Sequence, residues 1–92
     1  RSKTVMGPYF DRDGVSLLDG GGTMVIEGNK DWVALGHNAA YTFDGKDYLV
    51  LHAYESADNA LQKLRILPIT WEDNWPVVDP ADLNRRKTNL IK

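Results

Sequence analysis

Residues 32–55, WVALGHNAAYTFDGKDYLVLHAYE, hold both histidines of the chain, His37 and His52. They also hold its strongest turn signal, Asp44-Gly45, between two runs rich in β-formers. Asp-Gly is favoured where both central residues of a tight turn need positive φ, so the stretch predicts a hairpin over residues 37–56 with a type I′ turn. In its second strand, side chains alternate between the two sides of the sheet. Tyr48, Val50, His52 and Tyr54 face one way, and Leu49, Leu51 and Ala53 face the other. Both rows are largely apolar. An antiparallel sheet that is apolar on both faces needs cover on both, as in a stack of propeller blades. The stretch therefore predicts a piece of a larger all-β assembly.

The flanking sequence extends this reading. Residues 7–23 read as loop, punctuated by Gly7-Pro8, Asp13-Gly14 and Gly20–Gly22. Residues 23–29 and 61–71 read as strands, with Pro68 marking an edge or a bulge in the second. Residues 56–64 offer the one helical turn. Residues 79–92 are polar and read as a short helix or tail, which places the domain at 1–78 and a C-terminal tail at 79–92.

Composition narrows the function classes. A chain of 92 residues that is 42% apolar can bury one modest core. A net charge of −2 argues against electrostatic binding to nucleic acid or to a membrane surface. No window approaches the roughly 18 apolar residues of a membrane span. The opening RSKTVMGPYF has one basic end but no apolar signal core. There is no cysteine and no Asn-x-Ser/Thr site, so neither disulfides nor glycosylation indicate a compartment.

A series of short motifs carries a resemblance. In order they are Arg1-Ser2, Gly7-Pro8-Tyr9, Asp11 to Ser16, Gly20 to Thr23, and Gly28-Asn29 with Trp32. Gly36 to Ala39, Asp47 to Tyr54, Leu64 to Ile66 with Trp71, and Trp75-Pro76 complete the series. In this order and spacing, residues 1–77 resemble the C-terminal part of the endo-α-1,5-L-arabinanases of glycoside hydrolase family 43. The resemblance implies the last blade or blades, about one and a half, of a five-bladed β-propeller. It also implies hydrolysis of α-1,5-linked arabinan with inversion. Inversion requires a carboxylate base and a carboxylic acid roughly 6.5–9.5 Å apart. In the family these acids lie in earlier blades and their motifs do not occur here, so no catalytic residue is expected in this chain.

Local acids are poor substitutes. Asp44 is explained by its turn, Asp11 and Asp13 by a turn-rich loop, Glu55 and Asp58 by a strand end, and Glu72 and Asp73 by the next turn. His37 differs. A lone histidine in a strand is usually structural, but the resemblance implies that the one in Gly36-His37-Asn38 faces the central channel and helps to hold Ca2+. Calcium prefers oxygen ligands, so one imidazole with waters would be an unusual shell. His52, alternating with Tyr48, Val50 and Tyr54, reads as a packed, hydrogen-bonded residue.

Trp32 lies just ahead of the hairpin, where it could stack on a sugar or lid the core. Trp71 and Trp75 read as packing against a neighbouring blade. Gly20–Gly22 lacks the strand-to-helix context of a phosphate loop. Arg85-Arg86-Lys87 reads as solvated tail. Two departures from the family pattern, Ala34-Leu35 for Gly-Pro and Asp19 for Asn, fall in loops that could border the substrate groove.

Two function classes follow. One is a segment of an arabinan-degrading glycosidase, extracellular or periplasmic by resemblance, completed by a complementary chain with the earlier blades. The alternative is a non-catalytic carbohydrate-binding or structural propeller module that self-associates.

Overall fold

The computed structural model describes residues 1–85. Three strands, β1 (Trp32–Phe43), β2 (Lys46–Glu55) and β3 (Leu61–Pro68), form an antiparallel sheet in the order β1-β2-β3. Two short strands, β4 (Thr70–Glu72) and β5 (Trp75–Val77), pair separately. The described residues contain no α-helix, only 3-10 turns at Leu17–Asp19, Ser56–Asp58 and Pro80–Asn84. The all-β expectation holds.

The hairpin forms where the sequence places it. Asp44 at φ 54° and Gly45 at φ 75° give the two left-handed positions of a type I′ turn. Its first strand starts five residues earlier than expected, at Trp32 rather than His37. Two register shifts, between Val33 and Gly36 and between Gly36 and Ala39, interrupt the pairing with β2. Each breaks the period-two pattern, so the strand's beginning does not look like a strand in the sequence.

The expected strand at 61–71 is divided. Pro68 ends β3, an edge strand of its sheet, at a position whose missing N–H would face the unpaired edge rather than β2. The next amide, of Ile69, still donates to its register neighbour in β2, the Asp47 carbonyl, at 2.8 Å. The strand expected at 23–29 does not form, because no described segment pairs with it along a ladder. Its end is instead tied to the start of β1: the Asn29 amide donates to the Trp32 carbonyl, and the Asn29 side chain accepts from the Asp31 and Trp32 amides.

The N-terminal loop is organised around one acid. The Asp11 carboxylate accepts from the amides of Asp13, Val15 and Gly22 at 2.9–3.0 Å. These amides, Val15 first and then Gly22, hold its pKa below the usual carboxylate value. Close contact also fixes a glycine: a side-chain carbon at Gly21 would lie 2.4 Å from the Val15 carbonyl oxygen.

The core lies on one face of the sheet and gathers Trp32, Leu51, Ala53, Leu67, Val78 and Leu83. Leu83 corrects the boundary drawn at 79. It is fully buried, and the short helix that carries it starts from an Asp79 cap on the Ala81 amide. Arg65 binds the carbonyls of Leu83 and Arg85, and Asn84 hydrogen-bonds both Asn29 and Asp31. Residues 80–84 thus belong to the folded unit. Arg86, Lys87 and the remainder of the expected tail lie outside the described residues.

The opposite face is open apart from Tyr48, which is buried. Cross-strand pairing aligns Tyr41 with Tyr48 and Leu64 with His52 on it. Tyr41 and Leu64 are 62% and 65% exposed.

Candidate functional site

The bulges that hide the start of β1 also build its most unusual feature. His37 sits between Gly36 and the resumption of pairing at Ala39, in the left-handed region at φ 49°. A non-glycine residue there is strained, and a bulge re-aims the side chain that it carries. His37 is exposed, and its ring meets that of His52 edge-on, centroids 5.8 Å apart at 90°. His52 meets Tyr54 in the same way at 5.9 Å. Gly36 is the register partner of His52, and a side-chain carbon at position 36 would lie 3.9 Å from His52 Nε2. That nitrogen therefore points toward the β1 backbone beside His37. Neither ring hydrogen-bonds or ion-pairs with another described residue, so His52 packs through ring contacts rather than through the expected hydrogen bond.

The two site residues singled out in the sequence, His37 and Trp32, are not brought together. Trp32 is 8% exposed within the core, with the Arg65 guanidinium 4.5 Å above its ring. Its faces are occupied by packing, and the structure presents it as core rather than as an open sugar platform. An inward-facing Arg65 beside Leu67 in β3 was the signal for this arrangement: a charge among core positions needs an acceptor and a flat surface.

Calcium takes six to eight oxygen ligands. Among the described residues no three His, Cys, Asp or Glu side chains converge on one point. The described residues thus supply one exposed imidazole at this point and no cluster of ligands around it, and no catalytic step is derived through that ion.

The carboxylates are largely committed elsewhere. Asp47 accepts from the Thr42 hydroxyl at 2.6 Å and from the Trp71 indole at 2.8 Å, and these two, in that order, hold its pKa below the usual value. Glu55 and Asp58 share Lys63, whose pKa their hydrogen bonds raise. Glu72 pairs with Arg12, and Asp82 with Arg85. Asp11 holds its loop and Asp79 caps its helix. Trp75 is buried, with the Arg1 guanidinium 5.1 Å from its ring centre, while Trp71 remains 54% exposed.

No protein-family profile matches the chain. Individual proteins do. An extracellular exo-α-(1→5)-L-arabinofuranosidase from Cellvibrio japonicus is 61% identical over 93 residues, covering all of this chain and 27% of that protein. The chain is homologous to arabinanases. An extracellular endo-α-(1→5)-L-arabinanase from Bacillus subtilis is 41% identical over 76 residues, 83% of this chain and 23% of its own length. The solved Cellvibrio cellulosa α-L-arabinanase superposes with a TM-score of 0.84 at 61% identity, over 91% of this chain and 27% of that one. A glycoside hydrolase family 43 endo-arabinanase from Bacillus licheniformis superposes at 0.72 with 37% identity, over 84% and 26%. This chain thus spans about a quarter of the length of its arabinanase relatives, and its sheets are part of a propeller of the arabinanase type. The relatives' names divide between exo and endo action.

Proposed function

We propose that this chain is part of a glycosidase that cleaves α-1,5-linked arabinan with inversion, and that the catalytic acid and base lie outside it. One observation carries the reading: 61% identity across the whole chain to an exo-arabinofuranosidase. Supporting it, the Cellvibrio arabinanase of the same fold has been solved with arabinohexaose. The committed state of the local carboxylates agrees with chemistry placed elsewhere. The contribution of this chain is architectural: it supplies covered β-sheet and an exposed inner strand that carries His37. An extracellular location follows from the same relatives, two of which are named as extracellular. Completion by the remaining blades, in the same or a complementary chain, is the arrangement that covers the open face of the sheet.

The test is hydrolysis itself. The intact protein is expected to release arabinose or arabino-oligosaccharides from linear α-1,5-arabinan, and residues 1–92 by themselves are expected to release none. Arabinan left untouched by the intact protein would refute the reading. Release by the 92-residue chain would refute the placement of the acids.

A further inference from the structure

We propose that a cleft at the end of the β1-β2-β3 sheet binds a segment of α-1,5-linked arabinan, with Arg65 as its anchor, an inference that rests on the arabinan reading. The cleft lies where β1 begins and β2 ends, at the Trp32–Glu55 pair and away from the Asp44-Gly45 turn. Its volume is about 460 Å³. Asp31, Glu55, Lys63, Arg65, Asn84 and Arg85 line it, and the Arg65 guanidinium lies 4.5 Å above the Trp32 ring.

Arg65 is the residue that points to a ligand. Its Nη2 is spent on the carbonyls of Leu83 and Arg85, whereas its Nε–H is buried and meets no acceptor among the described residues. Buried donors are normally satisfied, so this one calls for an acceptor that the described residues do not supply. The guanidinium is also preorganised: two carbonyls hold one nitrogen and an indole holds one face. A sugar hydroxyl suits the remaining edge, because it accepts from an N–H while donating to a neighbouring carboxylate. The other charges argue against a free ion. Lys63 lies between Glu55 and Asp58, and Arg85 pairs with Asp82, so the cleft carries no surplus of positive charge for an anion. No three acids converge for a metal among the described residues. Capacity for hydroxyls remains: Lys63 has a third N–H beyond its two acids, and Asn84 a second amide hydrogen beyond the one given to Asp31.

The test follows the Arg65 Nε–H magnetic resonance signal in the isotopically labelled intact protein, identified by its absence in Arg65→Lys. The ligand added is α-1,5-arabinotriose with sulfur in its glycosidic linkages, which resists cleavage. Saturable movement of the signal is expected. Lys63→Gln and Glu55→Gln, both at partly exposed positions, should each raise the dissociation constant about two- to tenfold, the effect of one lost hydrogen bond. Movement that neither variant weakens would overturn the cleft as the place of contact, and so would no movement at all. Acetate moving the signal where arabinotriose does not would overturn the choice of ligand. The two readings fail separately. Hydrolysis of arabinan with an unmoved signal would remove the cleft and leave the proposed function standing. Saturable movement in a protein that leaves arabinan untouched would keep the cleft and remove the function.

Discussion

The two faces of the β2–β3 pair are made from similar residues and meet different surroundings. On one, Leu51, Ala53 and Leu67 are at most 3% exposed, sealed by Trp32, Val78 and Leu83. On the other, Val50, His52 and Tyr54 are half-buried and Leu64 is 65% exposed. An apolar row states that a face can be covered, and only the chain's own reach decides whether it is. Here the chain seals one face and leaves the second largely uncovered, with Tyr48 buried on it.

The largest expected effect tests the sealed face. Leu67→Ala should cost about 2–5 kcal/mol, because a fully buried leucine leaves a cavity that its neighbours only partly fill. The midpoint of denaturant unfolding of the intact protein measures it. A cost below about 1 kcal/mol would show that this face is not the core.

Arg65→Ala should come next, at about 2–3 kcal/mol. It removes charge-assisted bonds to two carbonyls and the cation from the face of Trp32. Arg65→Lys should recover only part of this, since an ammonium cannot reproduce the planar fork. Full recovery by lysine would reduce the role of Arg65 to its charge.

The open face should then respond according to what lies on it. In the isolated chain, Leu64→Ala should change stability by no more than about 0.5 kcal/mol, as for an ordinary surface position. The chain itself should self-associate through this apolar patch, and Tyr41→Lys with Leu64→Lys should shift it toward monomer in sedimentation. In the intact protein, Leu64→Ala should cost more than in the isolated chain. Equal costs would mean that the face stays open throughout.

The smallest effect concerns the N-terminal loop. The Asp11 carboxylate is held below its ordinary pKa by backbone amides, the Val15 amide foremost. A depressed pKa contributes stability that is present above the unfolded value of 3.8 and is lost as pH falls through the lower folded value. Stability should therefore decline on acidification below about pH 4, and Asp11→Asn should flatten that decline. An unchanged acid limb in Asp11→Asn would show that other carboxylates set it.

Much of this architecture was legible in the residues. Asp44-Gly45 marked the turn, and the alternation from Tyr48 to Tyr54 marked a strand that needs two neighbours. What escaped had physical reasons. The bulges at Ala34-Leu35 and His37-Asn38 destroy period two, so neither the start of β1 nor the meeting of His37 with His52 could be read from spacing. Leu83 is the one apolar residue between Asp82 and Asn89, and one residue has no periodicity. Residues 23–29 have strand-like composition, but a strand exists only with a partner, and composition does not supply one. Trp32 was ambiguous between platform and core until Arg65 was seen over its ring.

The Asp47–Trp71 bond gives the molecule an optical gauge of its own assembly. Trp32 and Trp75 are 8% and 9% exposed, whereas Trp71 is 54% exposed with its indole N–H fixed on a carboxylate. A collisional quencher such as iodide should reach Trp71 well before the other two. Its indole would then emit as an exposed fluorophore in the isolated chain. If the remaining blades settle over it, the quenchable share of the emission should fall, reporting closure of the propeller in real time.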